Sequence, residues 1–257
     1  MFAALGPNAL TIFAIVTVLW GASVRLRDAS IVDPWWSILF LAVTARTALT
    51  TTLGPRKLAL LALVALWALR LFLHLFGRSL GKPEDPRYAA FRVRFGSHRY
   101  WWVSFFQVFV LQGALALFIS APLVFAASRP ADEPFHALDA LGVVLFAIGF
   151  GFEAIADRQL QRFRDDPQSR GRVLDTGLFA YTRHPNYFGD AVIWWGFGCF
   201  AATTVAGAAT LLGPALMTFL LMRVSGVTML DEHLLRTRPG YAAYLARTPG
   251  FFPRRPR

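Results

Sequence analysis

LALLALVALWALRLFLHLFG, running from Leu58 to Gly77, decides the fold. Only Arg70 and His74 interrupt its apolar character, and at about 1.5 Å per helical residue it matches a hydrocarbon layer of roughly 30 Å. Working outward, six more blocks of this kind recur: Asn8 to Val24, Trp35 to Thr52, Trp101 to Ala127, Leu138 to Leu160, Tyr187 to Val205 and Gly207 to Leu230. The expected fold is therefore all-α, an integral membrane bundle of seven transmembrane helices forming one domain over residues 1–257. The first block has no basic flank and no small-residue cleavage site, so it reads as a retained span and not a signal peptide.

Composition agrees. Of 257 residues 56% are hydrophobic and 16% charged, against roughly half and a quarter in a soluble domain. A disordered chain, a disulfide-built secreted domain and a soluble dinucleotide-binding enzyme are excluded. Cys199 is the single cysteine and no Cys/His cluster exists, so no metal is expected. The net charge of +11 would suggest nucleic acid in a soluble protein, but here the cations lie between the apolar blocks and report topology. Arg25 and Arg27 follow the first block, and Arg78, Lys82, Arg87, Arg92, Arg94 and Arg99 follow the third. Arg162, Arg164, Arg170, Arg172 and Arg183 follow the fifth, while Arg236, Arg238, Arg247, Arg254, Arg255 and Arg257 occupy the tail. Alternate loops hold only Arg56 with Lys57, then Arg129. The positive-inside rule puts the rich loops and the C-terminus in the cytoplasm and the N-terminus outside. Trp35, Trp36, Trp101 and Trp102 open apolar blocks, as headgroup-level anchors do.

Ionisable groups among apolar residues usually face a partner or a cavity. Arg46, Arg70 with His74, Glu153 with Asp157, Asp190, Arg223, and Asp231 with Glu232 are the candidates. Glu153 and Asp157 stand at i and i+4 and share a helix face. Solvated helix ends or mutually neutral pairs are the plain alternative for several of them. Gly149-Phe-Gly-Phe-Glu-Ala154 and Gly196-Phe-Gly-Cys-Phe-Ala201 match GxGxxA but sit inside apolar helices without a preceding strand, so they read as helix-packing glycines. No phosphate loop, HExxH or GxSxG element is present, and a transporter's inverted repeats and broken helices are not evident.

The strongest motif is GLFAYTRHPNYFGD, Gly177 to Asp190. Pro185 suits the first turn of a helix, Asn186 offers its amide near that helix's positive end, and Asp190 follows one turn on. From Glu153 to Gly196 the chain resembles the C-terminal domain of steroid 5-alpha-reductases, and in particular their bacterial relatives. Further motifs carry the resemblance: Asp33-Pro-Trp-Trp36, Glu84-Asp-Pro-Arg-Tyr88, Ser104 to Gln112, Arg238 to Tyr244 and Phe251-Phe-Pro253. It implies an NADPH cavity lined by Glu153, Asp157, Arg164, Arg172, Asn186, Asp190, Arg223 and Tyr244, within helices 5 to 7 (137–257). Helices 1 to 4 (1–130) form the substrate side, with Asp33 or His74 as the acid at an enone carbonyl. The implied function is that of an NADPH-dependent oxidoreductase acting on CH–CH groups of a steroid-like enone. It implies a monomer among membrane lipids, in a bacterial inner membrane, with no nucleic-acid partner. Asp190 stands where those reductases have Glu, and Glu153 where they have Asn. Arg183-His-Pro-Asn-Tyr-Phe-Gly189, Glu232 and Gly240 to Tyr244 also resemble isoprenylcysteine and phospholipid methyltransferases, which bind S-adenosylmethionine, and this alternative stays open.

Overall fold

The structure, a computed structural model, describes residues 2–50, 52–224 and 226–255; Arg257, counted above among the tail cations, lies outside them. It is helical throughout, with no strand among the described residues. The helices are α1 (Phe2–Leu26), α2 (Val32–Leu49), α3 (Pro55–Ser79), α4 (Pro86–Phe95), α5 (Ser97–Ser104), α6 (Leu111–Ile119) and α7 (Ala121–Ala127), then α8 (Ala137–Asp165), α9 (Pro185–Ala201), α10 (Val205–Ala208), α11 (Leu212–Phe219), α12 (Val227–Thr237) and α13 (Tyr241–Arg247). They fall into two compact units, Met1–Phe135 and His136–Arg257.

Among the described residues five helical stretches are long and apolar enough to cross a membrane: Ala3–Leu26, Pro55–Ser79, Ser97–Ile119, Ala137–Asp165 and Val205–Thr237. Seven were expected. The two blocks that drop out are α2, of 18 residues, and α9, of 17, about 27 and 26 Å long at helical rise. Each is the inner helix of its unit. Leu39, Phe40, Val43 and Thr44 of α2 are fully buried against α1, α3, α6 and α7, and Ile193, Trp194 and Phe197 of α9 are fully buried as well. Hydropathy alone cannot separate a helix wrapped by protein from one wrapped by lipid. By contrast α3 buries Leu60, Val64, Trp67 and Ala68 and exposes Leu58, Leu66, Leu69, Leu73 and Phe76. An outward apolar face of that extent on a water-soluble protein would be an aggregation surface; hydrocarbon covers it here, as expected of a multi-pass membrane protein.

Glycines set the contact between α8 and α9. A Cβ on Gly149 would lie 2.5 Å from the Gly189 carbonyl oxygen, and one on Gly142 would lie 2.7 Å from that of Gly196. The reading of the GxGxxA matches as packing glycines therefore holds for Gly149 and Gly196. Without side chains between them the two backbones touch, as in small-residue membrane helix pairs. That closeness brings the acidic face of α8 against the first turns of α9.

Candidate functional site

The signature loop is held from both sides. Gly177, at φ +61, turns the chain after α8, and the Leu178 N–H donates to Gln159 Oε1 at 3.0 Å. Pro185 then opens α9. Between them Thr182, Arg183 and His184 are tied to the tail. Thr182 Oγ1 donates to the Phe251 carbonyl at 3.0 Å, the Arg183 N–H donates to Pro249 O at 2.9 Å, and the Arg254 N–H donates to Tyr181 O at 2.9 Å.

Asp231 is the hub of this clasp. Its Oδ2 accepts from Arg183 Nη2 at 2.6 Å, and its Oδ1 accepts from the Tyr241 hydroxyl and lies 2.9 Å from His184 Nε2. Arg183 also donates to the carbonyls of Leu245 and Thr248. Burial pulls the Arg183 guanidinium downward in pKa, but the Asp231 hydrogen bond and charge outweigh it and leave it above its ordinary value. Burial and the Asp231 bond together push the Tyr241 hydroxyl well above the usual phenol range. Tyr244, expected to touch cofactor, is buried and donates to the Phe179 carbonyl at 2.6 Å, so it braces the loop. The two tyrosines of Gly240 to Tyr244 thus hold opposite ends of one structure.

Four of the expected cofactor residues meet at the α8–α9 contact. Glu153 and Asp157 are buried on α8, Asn186 Nδ2 donates to Asp157 Oδ1 at 3.1 Å, and a Cβ on Gly189 would fall 2.6 Å from the Glu153 nitrogen. Asp190 is half-buried one turn after Asn186. None of the four lines the neighbouring cavity. That cavity, of about 520 Å³, is walled by Arg183, Arg223, Arg254, Asp231, Glu232 and an apolar set including Met222, Val227 and Phe252. Arg223 is the expected residue that reaches it, from a π-helical turn at Leu220–Val224. Arg164 and Arg172 are exposed and outside its lining.

The N-terminal unit carries a second polar cluster. Asp33, at the start of α2, accepts from Arg87 Nη2 at 2.7 Å and from the Tyr88 hydroxyl at 2.6 Å, and Gln112 Nε2 donates to the Tyr88 oxygen at 3.2 Å. With two donors on its oxygens Asp33 is an acceptor here, and the hydroxyl beside it belongs to Tyr88. Burial and the Asp33 charge push that hydroxyl well above the usual phenol range. His74, the other expected acid, lies on α3 two residues beyond Phe72, whose ring meets Trp35 at 5.2 Å. Tyr88 and Gln112 stand in the quoted motifs but carried no role in the sequence reading. The signal for Tyr88 was its place directly after Glu84, Asp85 and Arg87, and for Gln112 an amide inside an apolar block.

Comparison with known proteins follows the same lines. An uncharacterized Schizosaccharomyces pombe protein, C594.04c, is 29% identical over 94% of this chain and 77% of its own length. A probable O-methyltransferase of Ustilaginoidea virens, ustE, is 32% identical over 72 residues, covering 28% of this chain and 25% of its own. No solved structure matches. The match to the DUF1295 family, described as a protein of unknown function, extends over residues 19–248 and so takes in both polar clusters and Asp231 but stops short of Pro249, Phe251 and Arg254, and the chain belongs to that family.

Proposed function

We propose that the protein is an NADPH-dependent membrane reductase that delivers hydride to the conjugated double bond of a lipophilic enone, 3-oxo-Δ4 steroids being the first class to try. It acts as a monomer on a bilayer-borne substrate, in a bacterial inner membrane. The observation that carries the reading is the arginine-lined cavity beside Arg183-His-Pro185. Its volume, about 520 Å³, lies in the range of small-molecule pockets, about 300–1,000 Å³. Arg223 and Arg254 have no carboxylate partner among the described residues, and guanidinium groups bind phosphate oxygens bidentately. Met222, Val227 and Phe252 offer apolar walls to flat rings. This donor set fits NADPH. A sulfonium cofactor would instead add a positive charge next to two unpaired arginines.

NADPH, when bound, supplies the hydride; the chain's own residues bind, orient and polarise. Arg223 and Arg254 would hold its phosphates, while the Asp231 clasp fixes the wall that carries Arg183. In the N-terminal unit a carbonyl oxygen replaces Asp33 as the acceptor of the Tyr88 proton, with Gln112 still donating to the phenol oxygen and Arg87 still pairing Asp33. Hydride addition at the β-carbon moves the π electrons onto that oxygen, where the aimed O–H stabilises the charge. The α-carbon would then take its proton from a water molecule.

The rival methyltransferase reading draws on the short similarity to ustE and on Glu232 in the cavity wall. Thermal shifts of the detergent-purified protein with NADPH, NADH and S-adenosylmethionine separate the two. A ligand at a hundred times its Kd stabilises by about 2.7 kcal/mol. Stabilisation by NADPH that is lost in Arg223→Ala/Arg254→Ala and kept in Arg164→Ala/Arg172→Ala supports the reductase. Stabilisation by S-adenosylmethionine alone overturns it.

A further inference from the structure

We propose that a second cavity, in the N-terminal unit and independent of the reductase reading, binds a phosphate ester anion, as presented by a phospholipid headgroup. It has a volume of about 650 Å³, and Arg27, Glu84, Arg92, His98, Tyr100 and Trp101 contribute to its walls. Two observations point to a ligand. Tyr100 is 1% exposed, yet its hydroxyl has no hydrogen-bond partner among the described residues. A buried hydroxyl without a partner carries a penalty that a ligand oxygen would remove.

The second is Arg27. It is the one non-glycine residue at positive φ among those described, at 56°. The Asp28 N–H reaches back to Ser23 O at 3.0 Å, the long bond of a Schellman ending in which the left-handed position normally belongs to glycine. An arginine there bears backbone strain that glycine escapes, and strain of this kind marks functional positions. No carboxylate among the described residues pairs with it.

The local charge balance favours an anion. Glu84 is already engaged: Oε1 accepts from the Ala29 N–H at 2.8 Å and Arg92 Nη2 at 2.8 Å, and Oε2 accepts from Arg92 Nε at 2.9 Å. Arg92 neutralises Glu84, holds the Arg27 carbonyl at 3.1 Å and lies over the Tyr100 ring at 4.7 Å. Arg27 is left as the uncompensated charge, with the Tyr100 O–H as a neutral donor. The site lies where the Ala3–Leu26 stretch ends and the Ser97–Ile119 stretch begins. Trp101, half-exposed, accepts at its carbonyl from Trp20 Nε1 at 2.7 Å, placing indoles where lipid phosphates lie.

The test uses the full chain, delipidated in detergent and titrated with dioleoylphosphatidylglycerol, dioleoylglycerol, glycerol 3-phosphate and inorganic phosphate, read by native mass spectrometry and thermal shift. Arg27→Gly suits the backbone and removes the guanidinium; Tyr100→Phe removes only the hydroxyl. Each is expected to weaken the phosphate-bearing ligand about tenfold, with the ligand-free melting temperature unchanged or, for Arg27→Gly, raised. Tight phosphatidylglycerol with weak glycerol 3-phosphate identifies a lipid as the source. Comparable binding of the soluble phosphates, lost in the same variants, identifies a free ester. Binding that survives both substitutions, equal binding of dioleoylglycerol, or no binding by any phosphate probe overturns the site.

Discussion

Tyr88 and Asp231 show how much one side chain decides here. In the proposed reduction Tyr88→Phe keeps the ring packing and deletes the donor, so kcat should fall about a hundred- to a thousandfold, as for a lost oxyanion donor. The NADPH thermal shift should stay intact. Steady-state kinetics beside the binding assay checks this, and full turnover would remove Tyr88 from the chemistry. Asp231→Asn has a different outcome. It leaves Arg183, whose side chain is 10% exposed, without its anion, and breaking a buried pair this way costs about 3–5 kcal/mol. The melting temperature should drop sharply even without ligand. Neither pairing was readable from the chain, since Tyr88 finds Asp33 across 55 residues and Arg183 finds Asp231 across 48. Asp231 reads locally as a solvated helix-end acid, and only the fold reveals the three side chains, Arg183, His184 and Tyr241, gathered around it.

Among the elements, α8 and α9 offer the cleanest test of packing. Gly189→Ala would put a methyl 2.5 Å from the Gly149 oxygen, whereas a Cβ on Gly151 meets nothing within 4 Å. Overpacking of this kind costs about 1–3 kcal/mol. Gly189→Ala should lower the denaturation midpoint, and Gly151→Ala should hold or raise it. α4 offers a test of pH. Burial pushes Glu84 and Asp85 up, but hydrogen bonds from Arg92 and Ala29 to the one, and from Arg87 to the other, leave both below the ordinary carboxylate values of 4.5 and 3.8. Depressed folded values mean that their contribution is present above those ordinary values and lost as pH falls through the folded ones. Protection of the α4 amides from hydrogen exchange should hold from neutral pH to about pH 5 and fail only as pH falls below 3.8, the ordinary value for Asp85. Glu84→Gln should weaken that acid limb. The long apolar helices were legible as hydropathy blocks, and Pro185 marked the start of α9. What hydropathy could not show was that α2 and α9 are wrapped by other helices.

For the whole molecule, topology is the open expectation. In a Cys199→Ser background a cysteine placed at exposed Gln168 should be labelled by a membrane-impermeant maleimide only after the cytoplasmic face is opened, as the arginines of that loop require. Labelling in intact cells would invert the orientation. The two units also differ in what they ask of the chain. The N-terminal unit gathers its Asp33 cluster from α2, α4 and the first turn of α6, so its parts are all made by Gln112. The Thr182-Arg-His-Pro turn, in contrast, is made well before its partners: Asp231 follows Arg183 by 48 residues and Phe251 follows Thr182 by 69. During synthesis that turn therefore waits at the membrane surface with an unneutralised arginine and N–H and O–H donors that have not yet met their tail carbonyls. The clasp works as a completion mark: a chain cut short by a stalled ribosome or a nonsense codon before Asp231 carries the whole signature motif and cannot assemble it.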